Sequence, residues 1–392
     1  MNLELSTSEK KILGLSTLVM ITVLYINEGW IRHPDSSVYV NHLEFIIGNE
    51  EKPNNINPRL LLRPLIFYLS APFYFLFGAE NAIGVLNSFF YIFSGILMYR
   101  FVLSIFKDKD LAFYSSIYFV TAFPVLYWGL GILADMGTWF FLLLSLLLLR
   151  DQEPEYNSSY NFFIPIIIGF GILYKFDLLV IPIFVTLSLL HRYNFSDFPL
   201  KYFFVSFILV LFPIVINQIY VHQTYGFNYY NHFLLEIFSD SSTTDDIFLE
   251  ENYAFKYTQT YRLLTFFIAF PLLFPFALLG IREIRKTNLD SFNFSLFYII
   301  SSLIIILGWG SSLSYIGAGS PRYAFLLFPV IIPLTIIGLR NIINQMRLRF
   351  DIFKKFDVNN ILLSFIILFS IINLFVAIYS SEVRNFLNIW EW

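Results

Sequence analysis

The sequence predicts an all-α polytopic membrane protein, a bundle of about eleven spanning helices forming a single domain over residues 1–392. Three observations carry that expectation. Charged residues make up only 14% of the chain, against about 25% in a soluble domain. Apolar residues make up 57%, and mean hydropathy is +0.67. The apolar residues also collect in runs close to the length a bilayer requires, about 20 residues for a helix. The 48 Phe and 25 Tyr exclude disorder. With 25 Lys and Arg against 28 Asp and Glu, no basic excess is left to neutralise the phosphates of a nucleic acid. The absence of Cys excludes disulfides, thiolate metal sites and thiol nucleophiles.

The first span is Ile12–Ile26, preceded by Lys10 and Lys11. No small-x-small cleavage site follows it, only Asn27-Glu28-Gly29-Trp30, so it reads as an uncleaved anchor. Further apolar stretches are Ala82–Leu103, Leu111–Tyr127, Ala134–Leu149, Phe162–Tyr174, Leu178–Leu190, Tyr202–Val221, Tyr261–Ile281, Phe292–Leu313, Tyr323–Leu339 and Ile361–Tyr379. A cytoplasmic N-terminus places most Lys and Arg in inner loops, from Lys10 and Lys11 to Lys354 and Lys355, as the positive-inside rule requires. The stretch Leu65–Phe77 is too short for a tilted span, and counting it would invert every later loop. Residues 64–78 are therefore expected as a helix in the outer interface. Two outer loops stand out, 27–63 and 222–257. The first contains a juxtamembrane helix after Pro34, and the second is too long for a mere connection. Four of the five His, namely His33, His42, His222 and His232, fall in them.

Ionisable groups near spans are costly and call for a reason. Asp35, after His33-Pro34, reads as a carboxylate at the membrane surface acting as a base or binding a cation. The local sequence favours a helix N-cap instead, and the two readings are compatible. Asp135 opens the fourth span. It either favours the positive helix N-terminus or supplies a second acid at the same membrane face. Lys175 interrupts the apolar run 164–190. It is either an anion contact or the centre of a tight hairpin, snorkelling or paired with Asp177. Arg63, Arg262 and Arg322 each start a membrane helix. Guanidinium groups suit phosphate through planar bidentate bonds, though each alone also serves as a headgroup anchor. Gly129-x-Gly131 and Gly317-x-Gly319 follow no strand and form no nucleotide fingerprint.

The ordered set resembles the GT-C membrane glycosyltransferases that use polyprenyl-phosphate sugars, the protein O-mannosyltransferases and the lipid A aminoarabinose transferases. The residues that carry the resemblance are Trp30-Ile31-Arg32-His33-Pro34-Asp35 with Tyr39, Arg63-Pro64 leading to Phe77-Gly78, Asp135, Gly169-Phe170-Gly171 ending in Lys175, and Pro321-Arg322-Tyr323. They cover roughly residues 10–340. The resemblance implies a GT-C bundle in the plasma membrane with its site on the extracytoplasmic face. It implies Asp35 and Asp135 as catalytic acids, and Arg63, Lys175, Arg322, Tyr323 and His232 at the donor phosphate. His33, Tyr39 and Arg262 would support the acceptor. The donor would be a polyprenyl-phosphate-linked sugar, and the acceptor a glycan, lipid or protein. The chain departs from the pattern in two places. Ser36 stands where many relatives have a second acid, and Leu62 stands where the lipid A enzyme has a metal-binding Glu, although Asn231-His232 matches its His. No metal or other cofactor is therefore expected. Without the soluble C-terminal domain of some relatives, the outer loops would form the acceptor pocket. A flippase of lipid-linked sugars, or a non-sugar transferase on the same lipids, is the competing reading. The flippase would show inverted repeats and midplane polar groups, which the sequence lacks.

Overall fold

The computed structural model describes residues 5–33, 35–47, 58–61, 63–151, 162–193, 199–226, 273–312, 326–350 and 355–379. Among these there is no strand beyond an isolated parallel bridge between Ile31 and Gly131. The helices are α1 Thr7–Ile26, α2 Ser36–Ile47, α3 Pro58–Leu61, α4 Leu65–Phe77, α5 Ala79–Phe106, α6 Lys109–Thr121, α7 Phe123–Tyr127 and α8 Asp135–Asp151. They continue as α9 Phe163–Tyr174, α10 Val180–Arg192, α11 Leu200–Tyr225, α12 Leu273–Thr287, α13 Leu289–Ser312, α14 Phe328–Arg349 and α15 Val358–Ile378. Each of the eleven expected apolar stretches overlaps one of them. Five described helices are long and apolar enough by themselves to cross a bilayer: α5, α11, the 289–306 part of α13, α14 and α15.

Local chemistry sets the helix ends. Ser6 and Glu9 form a capping box at the start of α1: the Glu9 amide donates to Ser6 Oγ at 3.3 Å and the Ser6 amide to Glu9 Oε2 at 2.7 Å. At its other end the Gly29 amide reaches back to the Leu24 carbonyl and the Glu28 amide to that of Tyr25. This is a Schellman termination. Asp108 caps α6 by accepting from the Leu111 amide at 2.9 Å. The expected single span Leu111–Tyr127 is interrupted instead. Ala122 is extended and Pro124 sits in the first turn of α7. A proline there has no N–H to continue the ladder, and its ring clashes with the carbonyl four residues back.

The helices run between two ends. Glu9 at the start of α1 binds Arg100 near the close of α5, and Asp108 binds Arg340 of α14. The Ser291 hydroxyl of α13 donates to the Ile105 carbonyl, and Asn341 of α14 to Glu283 of α12. The other end gathers the close of α1, all of α2 and α4, and the starts of α5 and α8. Arg32–Glu80, the Ile31–Gly131 bridge and the stacking of His42 on Phe67 hold these together. Helix α4 lies at this second end. Its 13 residues rise about 20 Å, against a hydrocarbon core of about 30 Å. Gly78, at φ +79, turns it directly into α5.

α5 forms the centre of the bundle, with α1, α4, α6 and α8 around it; Phe101, Val102 and Tyr91 are fully buried. The outward faces of α11 and α15 expose Phe204, Ile208, Phe212, Leu368, Ile371 and Phe375. Such faces need lipid as solvent. α12 and α14 cross with their backbones in contact: a methyl at Gly280 would collide with the Leu334 carbonyl, and one at Gly338 with that of Phe276. Small residues at the crossing allow that approach in a bilayer.

Candidate functional site

The segment after α1 docks by its backbone and by its side chains. The Ile132 amide donates to the Ile31 carbonyl at 3.1 Å, completing the bridge to Gly131. The buried amide of Asn87, on α5, holds the facing strand of chain through the Gly131 and Leu133 carbonyls, at 2.7 and 2.9 Å. Trp30 packs its indole against Gly84, where a β-carbon would overlap the ring, and donates from Nε1 to Asn81 Oδ1 at 3.0 Å. Arg32 makes a bidentate pair with Glu80, both contacts 2.7 Å. His33 places Nε2 3.0 Å from the Tyr127 carbonyl. A carbonyl only accepts, so that nitrogen carries the proton. Its ring stands edge-on to Tyr127, with centroids 4.6 Å apart.

Two residues on, Asp35 occupies the position before α2 and is exposed. Its carbonyl accepts from the Val38 and Tyr39 amides, so it begins the helix as the N-cap reading expects. One turn later Tyr39 is buried with its ring 6.3 Å from that of Phe67 on α4. His42 stacks on the same Phe67 and bonds the Val38 carbonyl through Nδ1 at 2.8 Å. These contacts fix the face of α2 and hence the direction in which its first turn points.

Opposite lies a buried ionic trio. Lys175 breaks α9 with an extended backbone, and residues 176–179 form a 3₁₀ turn before α10. The two arms splay, α9 against α8 and α11, α10 against α13. The Lys175 ammonium is 2.7 Å from Asp135 Oδ1 and 2.9 Å from Asp177 Oδ2. All three side chains are less than a tenth exposed. Tyr174 packs its ring on Gly137 of α8 and lies within electrostatic range of Asp135 and Tyr39, which ties the trio to α2. The Tyr174 hydroxyl is buried with no hydrogen-bond partner among the described residues. The Arg63 guanidinium sits 5.3 Å from the ring centre of Phe176, beside the trio.

Of the residues read from the sequence, His33, Asp35, Tyr39, Arg63, Asp135 and Lys175 therefore lie at one end of the bundle. His232, Arg262, Arg322 and Tyr323 lie outside the described residues, as does most of the 222–257 loop. Lys175 pairs with Asp177, as the hairpin reading expects, and also with Asp135, forty positions away in sequence. As a result Asp135 faces a lysine. Sequence reasoning missed Asn87, Glu80 and Tyr127. Asn87 could have been found, because an amide in the middle of the apolar run Ala82–Leu103 needs buried partners.

No family model and no curated protein matches the sequence. Solved structures similar to it include two of one protein. ArnT from Cupriavidus metallidurans bound to undecaprenyl phosphate aligns with a TM-score of 0.57 at 13% identity, over 95% of this chain and 71% of that one. The same protein in the apo state aligns with a TM-score of 0.52 at 12% identity, over 96% and 71%. This chain has the GT-C fold. At that identity the likeness is one of fold and not of particular residues. The residues that carry chemistry must be argued from this chain's own geometry.

Proposed function

We propose that the chain is an integral membrane glycosyltransferase that moves a sugar from a polyprenyl-phosphate donor to a glycan, lipid or protein acceptor at the extracytoplasmic face. The observation that supports this most is the gathering of Asp35, Arg63 and the Asp135–Lys175–Asp177 trio at one end of a GT-C bundle. A structure with the same fold holds undecaprenyl phosphate. The inner-loop excess of Lys and Arg supports the orientation.

In this reading Arg63, its guanidinium over the Phe176 ring beside the trio, contacts the donor phosphate. Lys175 joins when a phosphate oxygen replaces one of its two carboxylates. Arg322, Tyr323 and His232 complete the phosphate contacts. Stabilising the charge that grows on the leaving polyprenyl phosphate is the larger catalytic contribution. Asp35, exposed at the head of α2, accepts the proton of the acceptor hydroxyl as its oxygen attacks C1 and the C1–O bond to phosphate breaks. A single displacement inverts C1. Asp135 positions Lys175, while His33, Tyr39 and Arg262 support the acceptor side.

The test uses the purified chain in lipid nanodiscs with polyprenyl-phospho-hexose and hydroxyl acceptors, and measures release of polyprenyl phosphate. Asp35→Asn is expected to lower turnover by about 10²–10⁴-fold, the usual contribution of a general base, with donor binding unchanged. Equal turnover would remove Asp35 as the base.

A further inference from the structure

A cavity of about 690 Å³ opens beside the docked segment that follows α1, lined among others by Asn27, Glu28, Trp30, Arg32, Asn81 and Tyr127. Small-molecule sites run from about 300 to 1,000 Å³, so it has room for a disaccharide. We propose that this cavity binds an uncharged saccharide, and that the saccharide is the acceptor of the transfer; the second half of the statement rests on the glycosyltransferase reading.

The lining chooses the class of ligand. Arg32 and Glu80, which also lines the cavity, neutralise one another through their bidentate pair. Glu28 then leaves the wall with a net charge of −1, which disfavours phosphate or any other anion. The Asn27 amide nitrogen donates to the Val23 carbonyl, and the Asn81 amide bonds Phe77 and Trp30; each NH2 group keeps a second hydrogen and each oxygen a lone pair, which with the Glu28 carboxylate are of the kind that sugar hydroxyls match. Trp30 and Tyr127 add aromatic surface. Both are held rigidly, Trp30 by Gly84 and Asn81, Tyr127 by His33. Tyr127 of the cavity wall contacts His33, which stands two residues before Asp35 in the chain, so the wall is tied to the segment that carries the proposed base.

The backbone gives an independent sign. Glu28 has φ +55 and Gly29 φ +137. In the Schellman termination of α1, Glu28 fills the left-handed position that glycine normally takes. A side chain held there at a conformational cost, exposed and on a cavity wall, points to use of the carboxylate. Glu28→Gly therefore deletes the carboxylate and relaxes the turn, so its folding is secure.

The full chain in phosphatidylcholine nanodiscs is titrated calorimetrically with maltose, lactose, chitobiose and glucose 6-phosphate. At least one uncharged disaccharide is expected to bind, glucose 6-phosphate is not, and Glu28→Gly is expected to weaken the disaccharide about tenfold, as loss of a charged hydrogen-bond partner does. The proposal is overturned if none of the three disaccharides binds, if glucose 6-phosphate binds as well, or if Glu28→Gly binds like the parent. A second arm separates the two readings. Saccharide binding without any sugar transfer keeps the cavity assignment and removes the transferase. Transfer with an acceptor KM unmoved by Glu28→Gly keeps the transferase and removes the cavity assignment.

Discussion

The two ends of the bundle spend charge differently. At the end where α1 begins, ions meet one to one: Glu9 with Arg100, Asp108 with Arg340, each contact 2.5 Å, each involving a side chain about a quarter exposed or more. In each pair the acid stands at a helix start, and both acids double as caps. These pairs are explained by the fold. At the other end one lysine joins two acids in a buried trio, on a backbone that leaves the α-helical register. The fold alone does not require the second acid there. Buried ion groups contribute little net stability while breaking them is costly, so a buried trio at a helix break is where the proposed chemistry is best tested, rather than the partly exposed pairs at the other end.

The sharpest way to break this contrast is Lys175→Met. It leaves two carboxylates buried without their cation and should lower stability by about 3–5 kcal/mol, read as a shift in the unfolding midpoint in mixed micelles. Adding Asp135→Asn and Asp177→Asn to the same chain should restore most of the loss. A small effect of Lys175→Met would show that water reaches the trio and that its burial was wrongly read.

Gly84→Ala tests the same end through packing. The new methyl would fall within the Trp30 indole, and forcing a group into a filled site costs about 1–3 kcal/mol. The segment carrying His33 and Asp35 should loosen, so faster proteolysis after Trp30 should accompany a modest fall in stability. Unchanged proteolysis would mean that the segment is held by Arg32–Glu80 and the Ile31–Gly131 bridge without Trp30.

What was legible in the sequence follows from range. Span positions are local, since about twenty apolar residues suffice to place a helix. The break at Ala122 was missed because the apolar run continues through it, although Pro124 was there to be weighed. The Lys175–Asp177 contact spans two positions and could be read directly. Asp135 joins them only because α8 and α9 pack side by side, a fact that no spacing encodes. The same holds for Arg63 beside Phe176 and for Trp30 on Gly84: tertiary packing, not pattern, decides them.

The smallest expected effect belongs to the balanced end. Burial pushes the Asp108 carboxyl up, but the Leu111 amide and the Arg340 guanidinium together outweigh it and hold it below the usual carboxylate range. A carboxyl lowered on folding contributes its stability above its unfolded value, about 3.9, and loses it as pH falls through the lower folded value. Stability should therefore be level from neutral pH down to about pH 5 and decline below it. Because Asp108 is about a third exposed, solvent screening limits this share to about 1 kcal/mol or less. Arg340→Gln should flatten the decline, measured as the unfolding midpoint at stepped pH in detergent, and leave any pH dependence of sugar transfer unmoved. If Arg340→Gln instead altered transfer, the two ends would be coupled through α14, and the division between a structural end and a chemical one would fail.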